Sequence, residues 1–440
     1  MLWHPFTQQS LWAEEDFPVI VRGQGIYLYD ADGRKYIDGV SSLWCNVHGH
    51  RRREIDAALR RQLGRLAHAT CLGLSHPPAI ELAERLVAAA PRGLTRVFYS
   101  DDGSTAVEVA LKMAFQYWHQ NGRPGKTKFV TLEAAYHGDT MGAVSLGGIE
   151  SYHGLFKPLR FPTIKAPTTY AYRCDRARSL ADCGKHCIQD IEAILRTHAH
   201  EVAALVVEPL VQGAGGMITQ PAGFLTGLRH LCNRHGVLLI ADEVMTGFGR
   251  TGRMFACEHE GVTPDLMAVS KGLTGGYLPL AATLVTEKIY EGFLGDARSR
   301  RAFAHGHTYT GNPLACAAAL ASLEIFERER TLDRVQTTAH LLGNLLQDFY
   351  EIPNVGDVRL CGLIAGIELV ADPDRKTPYP AEERRGHRVA LEARRRGAIL
   401  RPLGDVVVLM PPLSITPSEL TRLVRITRES IEAACRAPAP

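Results

Sequence analysis

The chain has 440 residues, of which 45% are hydrophobic and 22% are charged, and its formal net charge is +3. A chain of this length and composition can bury a large core, and it has no basic excess that would indicate nucleic-acid binding. No apolar run approaches the roughly 20 residues of a membrane-spanning helix, and residues 1–10 lack the basic and apolar regions of a signal peptide. The ten cysteines are scattered, which is typical of reduced thiols in a cytoplasmic protein.

Short apolar runs alternate with amphipathic stretches through the middle of the chain. Apolar residues at helical spacing predict helices near residues 55–66 and 107–118, and Asn312 before Pro313 predicts another helix start. Five apolar runs predict buried strands at residues 129–132, 203–208, 237–242, 266–270 and 280–285. The alternation of strands and helices favours a mainly parallel, doubly wound sheet.

The chain divides into three predicted parts. Residues 1–50, which include a predicted hairpin at residues 27–36, are expected to pack with a smaller C-terminal domain at residues 331–440. Residues 51–330 are expected to form a large domain. The C-terminal part has an α+β pattern, and its arginine-rich stretch at residues 384–396 is expected to be a solvated helix face.

One cluster of metal-binding residue types lies outside this pattern, at Cys174, Cys183, His186 and Cys187. A zinc site is an alternative for this segment, but the paired C-x2-C spacing of structural zinc sites is missing. We expect an irregular surface insertion there, and no metal.

Three functional side chains fall at the predicted carboxyl ends of strands: Glu208, Asp242 and Lys271. In open α/β sheets, ligands bind in the crevice at that edge. Lys271 precedes a glycine-rich turn and is expected to lie inside the crevice. Partial desolvation there makes an amine a better nucleophile toward carbonyl groups.

These residue types suit pyridoxal phosphate. Asp242 is the candidate to hold a proton on the ring nitrogen, which makes the ring an electron sink, although a helix cap or an ion-pair partner is the alternative. Gly103 and Ser104, at the start of an amphipathic helix, are candidates to bind the phosphate, and an ordinary capped helix is the alternative. Tyr136 is placed to stack on the ring, and Lys271 to carry the cofactor.

In this order along the chain, the residues resemble the class III aminotransferases of fold type I. The resemblance runs from about residue 3 to residue 417, and its most specific stretch is IADEVMTGFGRTG at residues 240–252. Within the class, the chain resembles the biotin-synthesis enzymes that convert 8-amino-7-oxononanoate to 7,8-diaminononanoate. That narrower resemblance rests on WHPFT at 3–7, QGAGGM at 212–217, HGHTYTGNP at 305–313, RPLGD at 401–405 and LMPP at 409–412.

The resemblance implies a large domain with a mainly parallel seven-stranded sheet and a smaller α+β domain. It implies catalytic roles for Lys271, Asp242 and Tyr136. His307 and Thr308 are expected to reach the phosphate from a neighbouring subunit, which implies a homodimer with shared active sites. Gly306, Tyr136 and Arg401 are expected to contact the substrate, with the guanidinium of Arg401 binding the carboxylate of the keto acid.

Two positions depart from the family pattern. Phe6 stands where a tyrosine is common, and Leu43, beside Trp44, stands where a tryptophan is common; all three are expected to line the substrate pocket. The implied amino donor is S-adenosylmethionine, the family default, or lysine, which a subgroup with such changes uses. An ω-amino-acid or diamine aminotransferase is the alternative function, and a non-catalytic pyridoxal-phosphate-binding regulator is a remote one.

Overall fold

The structure is a computed structural model, which describes residues 2–14 and 17–436. Its first elements are α1 (Gln9–Glu14), β1 (Ile20–Gln24), β2 (Tyr27–Asp30), β3 (Lys35–Asp38), α2 (Ser41–Trp44), α3 (Arg53–Leu63) and α4 (Pro77–Ala89). Strands β1, β2 and β3 pair antiparallel, and the β2–β3 pair is the predicted hairpin. Gly33 turns the chain between them with a φ of +80°, a conformation that glycine adopts without a steric penalty.

The middle of the chain alternates strands and helices as the sequence predicts. Its elements are β4 (Leu94–Ser100), α5 (Gly103–Gln120), β5 (Lys128–Leu132), α6 (Met141–Leu146), α7 (Glu150–His153), β6 (Ile164–Ala166), α8 (Leu180–His198), β7 (Val202–Val207), β8 (Val211–Gln212), β9 (Ile218–Thr219), α9 (Phe224–His235), β10 (Leu238–Asp242), β11 (Leu266–Val269), β12 (Ala281–Thr286), α10 (Glu287–Glu291) and α11 (Pro313–Arg328). The five predicted strands correspond to β5, β7, β10, β11 and β12, within one or two residues at each end.

Seven of these strands form one sheet in the order β4-β12-β11-β10-β7-β5-β6. The pairs from β11 to β6 are parallel, and β12 runs antiparallel to both β11 and β4. The sheet is therefore mainly parallel, and β7, β10 and β11 end at the same edge. Strands β7, β10 and β11 are buried along their whole length, as expected for a sheet covered on both faces.

The C-terminal part contains α12 (Thr331–Leu346), β13 (Val355–Cys361), β14 (Ile364–Leu369), α13 (Arg385–Arg395), β15 (Ala398–Ile399), β16 (Arg401–Leu403), β17 (Val406–Leu409) and α14 (Pro417–Arg436). Short 3-10 helices cover Gly154–Leu159, Ala171–Arg173, Ala256–Glu260, Lys271–Thr274, Gln347–Glu351 and Ala381–Glu383. Strands β13, β14, β17 and β16 form a second sheet, and β15 pairs in parallel with β3. The first fifty residues are thus bonded to the C-terminal part; the domain boundaries themselves stay a prediction.

The segment around residues 174–187 corrects the sequence analysis, because it is not an irregular insertion. Ser179 caps α8, and its hydroxyl accepts the N–H of Asp182 at 3.1 Å. The buried positions recur every fourth residue, at Cys183, Cys187, Ile191 and Leu195. The prediction was wrong because buried thiols act as small apolar groups. When they are counted as apolar, the segment has the apolar face of an amphipathic helix, which the polar residues between them conceal in the sequence.

Among the residues that the structure describes, we find neither a group of side chains placed to hold a metal ion nor a helix that could span a membrane. No set of three or more His, Cys, Asp or Glu side chains is arranged to hold a metal ion. No described helix is long and apolar enough to cross a bilayer.

The start of α11 provides a test of the local energetics. The Asn312 side chain accepts hydrogen bonds from the N–H groups of Leu314 at 3.0 Å and Ala315 at 3.1 Å. We expect Asn312→Ala to lower the free energy of unfolding by about 1 kcal/mol, because both N–H groups lose their acceptor. Asn312→Asp keeps an acceptor and should retain most of the stability. Equal denaturation midpoints for the two variants would refute the capping role.

Candidate active site

A cavity of 760 Å³ opens at the carboxyl edge of the seven-stranded sheet. The three predicted strand-end residues, Glu208, Asp242 and Lys271, all line it, because β7, β10 and β11 are neighbours that end at this edge. Four further predicted residues lie in its wall: Trp44, Gly103, Ser104 and Tyr136.

Lys271 begins a 3-10 helix directly after β11. Its φ of +44° lies in the left-handed region, which costs a residue other than glycine roughly 1–3 kcal/mol. Contacts with the surrounding structure must offset this cost. Its ammonium nitrogen lies 5.1 Å from the ring centroid of Trp44. Burial lowers the pKa of Lys271, and the charges of Asp242 and Glu208 oppose this shift. The amine is therefore neutral, and nucleophilic, in a larger fraction than that of an ordinary lysine.

Asp242 is buried at the end of β10 and is held by two donors. Its Oδ2 lies 2.7 Å from Nδ1 of His137, and its Oδ1 accepts the backbone N–H of Val244 at 3.1 Å. His137 is also buried, and its Nε2 has no hydrogen-bond partner among the described residues. A buried side-chain partner for Asp242 is thus present, and it orients the carboxylate. Sequence reasoning missed His137, although it follows Tyr136 directly.

Glu208 joins two segments of the cavity wall. Its carboxylate accepts the backbone N–H of Tyr136 at 3.1 Å and that of Gly213 at 2.8 Å. Burial raises the pKa of Glu208 to about 7, an effect that His137 opposes and Asp242 increases. The sequence placed Glu208 at this edge but did not indicate that it ties Tyr136 to the loop after β8.

Helix α5 points its N-terminus at the cavity. Asp102 caps the helix by accepting the N–H of Thr105 at 3.0 Å, so the capped helix expected as an alternative is present. Ser104 Oγ lies 2.9 Å from Oγ1 of Thr140 and accepts the Thr140 N–H at 3.0 Å. The helix N-terminus, Gly103 and the two hydroxyls line one corner of the cavity, and such a corner favours an anion.

Tyr136 is fixed by contacts on three sides. Its hydroxyl donates a 2.6 Å hydrogen bond to Asp139, and its ring stacks on His153 at 5.8 Å with 13° between the planes. Tyr152 packs edge-on against it at 6.4 Å. Burial raises the pKa of Tyr136, so the hydroxyl stays protonated. Tyr152 and His153 lie on the short helix α7, and no spacing in the sequence indicated that they support Tyr136.

Phe6 and Arg401, which the sequence analysis assigned to substrate binding, lie together in an adjoining cavity of 320 Å³. The Arg401 guanidinium lies 5.6 Å from the centre of the Phe6 ring. Tyr152 packs against Phe6 at 5.5 Å and so links this cavity to Tyr136. Within the described part of the chain, no acidic side chain pairs with Arg401, which leaves its guanidinium available to a carboxylate.

Besides Phe6 and Arg401, four predicted site residues do not line the main cavity of this one chain. They are Leu43, Gly306, His307 and Thr308. The Leu43 side chain is exposed. His307 Nδ1 lies 3.1 Å from a carboxylate oxygen of Asp101, a cavity residue of the same chain, without hydrogen-bond geometry.

The residues of the main cavity suit pyridoxal phosphate. Lys271 offers an amine for the aldehyde, Asp242 a buried carboxylate for the ring nitrogen, and Tyr136 an aromatic face for the ring. The hydroxyl of Ser104 at the start of α5 suits the phosphate. All four groups face one volume, as a single cofactor requires.

The sequence matches the family model described as Aminotransferase class-III over residues 10–431. The chain belongs to this family. It is 56% identical, over 98% of its length, to the adenosylmethionine-8-amino-7-oxononanoate aminotransferase of Geobacter sulfurreducens, 95% of which is covered. The enzyme of the same name from Nitratidesulfovibrio vulgaris is 58% identical, with 98% of this chain and 80% of the relative covered.

Solved structures share the fold. The crystal structure of adenosylmethionine-8-amino-7-oxononanoate aminotransferase from Methanocaldococcus jannaschii has a TM-score of 0.94 at 45% identity and covers 98% of this chain and 97% of its own. An amine transaminase from an uncultivated Pseudomonas species, in its PLP-bound form, has a TM-score of 0.94 at 41% identity. The match covers 99% of this chain and 98% of the transaminase. The predicted fold type is confirmed: the chain is a transaminase, and its cofactor is pyridoxal phosphate.

Gly138 allows the Tyr136 segment to approach α5. Its φ is +118°, and a Cβ there would lie 2.2 Å from Ser104 Oγ. We expect Gly138→Ala to weaken pyridoxal phosphate binding by about tenfold or more, because Ser104 must move out of the corner that is predicted to hold the phosphate. Titration of the apoprotein with cofactor, followed by absorbance, measures this change.

Gly122→Ala is the matched control, because Gly122 also has a positive φ of +83° but has no atom within 4 Å of its Cβ position. This variant should lose stability without losing cofactor affinity. If both variants bind the cofactor as tightly as the wild type does, the contact between Gly138 and Ser104 has no role in the site.

Proposed function

We propose that the chain transfers an amino group to 8-amino-7-oxononanoate and so forms 7,8-diaminononanoate. The observation that carries the proposal is the position of Arg401, which has no acidic partner in the described ranges and is linked through Phe6 and Tyr152 to the cavity of Lys271. The acceptor is a long keto acid, so its carboxylate and its reacting carbonyl need two separated sites. The names of the relatives at 56–58% identity support the same substrate.

Pyridoxal phosphate, when bound, supplies the electron sink that lets an amino-bearing carbon lose its proton. Lys271 would hold the cofactor covalently, Asp242 would face its ring nitrogen, and Tyr136 would cover its ring. Gly103 and Ser104 would hold its phosphate. The donor reacts first and leaves, and the keto acid then enters the same site, in a ping-pong sequence.

Lys271 moves the proton in both half-reactions. With the cofactor and the donor bound, the free Lys271 amine would be the base that takes the proton from the amino-bearing carbon of the donor. Its lowered pKa favours this step, because a neutral amine is required. Asp242 and Glu208 offset the effect of burial and stabilise the ammonium that forms.

A second copy of the chain completes the proposed site. His307 and Thr308 are the residues that the partner would contribute near the phosphate. Large apolar side chains that a monomer would leave in water support a homodimer, as Leu63, Leu72 and Leu74 are all more than half exposed. The ten free thiols support a cytoplasmic location.

An amine or ω-amino-acid transaminase is the second candidate. The likeness to the amine transaminase described above favours it, since 41% identity covers nearly the whole chain. A small amine carries no carboxylate, whereas an ω-amino acid does, so activity with an amine donor that is independent of Arg401 would favour an amine transaminase.

We expect Lys271→Ala to lower turnover by several powers of ten while the protein still folds and binds the cofactor noncovalently, because the covalent carrier and the base are lost together. Single-turnover kinetics with an amine donor measure the loss. Lys185→Ala, on the exposed side of α8, is the control and should be fully active. Retention of a tenth of the activity by Lys271→Ala would overturn the assignment.

Arg401→Lys should slow the acceptor half-reaction by about ten- to a hundredfold, because lysine cannot form the bidentate bond to a carboxylate. The donor half-reaction should be unchanged. Rapid-mixing absorbance of the cofactor separates the two, and Arg422→Lys, on the exposed face of α14, is the control. Equal loss in both halves would mean that Arg401 has a structural role.

The donor is proposed to be S-adenosylmethionine or lysine, and the departure of Phe6 and Leu43 from the family pattern suggests a test. A tryptophan ring at position 43 would attract the sulfonium and stack on the adenine, and a tyrosine at position 6 would add a hydroxyl. Together these contacts would contribute about 1–3 kcal/mol to binding of S-adenosylmethionine. Phe6→Tyr with Leu43→Trp should therefore raise the rate with S-adenosylmethionine relative to lysine. An unchanged ratio, measured with saturating keto acid, would place the determinant of donor choice elsewhere.

A further inference from the structure

The short segment α2 has an unfavourable backbone conformation at the edge of the main cavity. Ser41, Ser42 and Trp44 have φ angles of +51°, +63° and +64°, values that residues other than glycine rarely adopt. Trp44 and the next residue, Cys45, line the cavity, and the Trp44 ring centroid lies 5.1 Å from the ammonium nitrogen of Lys271. Contacts from outside α2 must therefore hold this part of the cavity wall in its shape.

The main contacts come from Asp38, whose side chain is fully buried at the end of β3. Its Oδ1 accepts the backbone N–H of Ser42 at 2.8 Å, and its Oδ2 accepts the Ser42 hydroxyl at 3.0 Å. The Asp38 Oδ2 also lies 3.0 Å from Nε2 of His50. On the other side of the segment, the Ser41 hydroxyl donates to the carbonyl of Met410 at 2.7 Å. Neither Asp38 nor His50 lines the main cavity, so any effect that they have on it passes through α2.

Asn46 determines which nitrogen of His50 carries the proton. The Asn46 Oδ1 accepts the backbone N–H of Gly49 at 2.7 Å, so its Nδ2, a donor, faces Nδ1 of His50 at 3.0 Å. Nδ1 must then be the acceptor, and the ring proton lies on Nε2, which donates to Asp38. The three side chains therefore form a chain of hydrogen bonds with a fixed direction, from Asn46 through His50 to Asp38.

We propose that Asp38, oriented by His50, is a positioning residue that keeps Trp44 beside Lys271. The carboxylate holds Ser42 in its unfavourable conformation, and the chain direction that results brings the indole into the cavity wall two residues later. Without these hydrogen bonds α2 relaxes, and the wall beside the Lys271 amine loses its shape. This inference rests on the transaminase reaction and on neither proposed substrate, so an error in the acceptor or the donor leaves it unchanged.

Asp38→Asn tests the hydrogen bonds with almost no change in side-chain size. The amide has one acceptor oxygen and one donor nitrogen where the carboxylate has two acceptors. If the new nitrogen faces His50, it meets the Nε2–H, and if it faces the backbone of Ser42, it meets the N–H there. Both orientations set two donors against each other. We therefore expect kcat/KM for an amine donor to fall by about ten- to a hundredfold.

Cys45 reports on the segment independently of activity, because it is half-buried and follows Trp44 directly. The intact, cofactor-loaded protein is treated with iodoacetamide in native buffer, and alkylation of the Cys45 peptide is followed over time by mass spectrometry. We expect Asp38→Asn to raise the alkylation rate of Cys45 by about fivefold or more. Cys435, which is half-buried on α14, should keep its rate, so a general loss of stability is distinguished from a local change.

The double variant Asp38→Asn with Asn46→Asp reverses the direction of the hydrogen-bond chain and should restore it. The new carboxylate accepts from His50 Nδ1, and the new amide donates to Nε2 and to the Ser42 hydroxyl. Both kcat/KM and the Cys45 alkylation rate should return to within about threefold of the wild type, even if the single variant fails to fold. Asp32→Asn, on the exposed turn between β2 and β3, is the matched control and should behave as the wild type. A double variant as impaired as Asp38→Asn, or an Asp38→Asn variant unchanged in both measurements, would overturn the proposal.

Discussion

The contact between Asp242 and His137 is the constraint on which the site depends. A buried carboxylate is tolerated only with partners, and here a histidine and one backbone N–H supply them. Because β7 and β11 flank β10 in register, fixing Asp242 also fixes the positions of Glu208 and Lys271. The charges around the Lys271 amine are therefore set by the backbone ladder of the sheet and not by flexible side chains.

The loop after β8 is held from two directions, and this couples the two sheets. Glu208 accepts the N–H of Gly213 on one side, while Arg359 of β13 donates to the carbonyl of Gly216 at 2.8 Å on the other. Arg359 is itself paired with Glu368 at 2.6 Å in the buried interior. Arg359 also pairs with Asp357 at 2.7 Å, and Glu368 also pairs with Arg173 at 2.6 Å, so a network of charges fixes Arg359 and, through it, this loop.

The sequence predicted the sheet and its catalytic edge because both follow from local patterns. Apolar runs identify buried strands, and a polar residue at the end of such a run marks the edge where ligands bind. His137, Tyr152 and the role of Glu208 were missed because they depend on contacts between segments, which no spacing encodes. The error at α8 had another cause, since an irregular insertion was expected where the thiols serve as apolar core groups of a helix.

The parallel pairing of β3 with β15 has a consequence for how the protein is made. Residues 35–38 leave the ribosome early, but their partner at 398–399 is among the last parts of the chain to be synthesised. Until then β3 is an open sheet edge that any other extended chain can pair with. Arg401 follows β15 almost directly, so the pairing that closes this edge also brings into place the arginine that we propose to bind the substrate. A nascent chain therefore gains its proposed acceptor site and loses its aggregation-prone edge in the same late event.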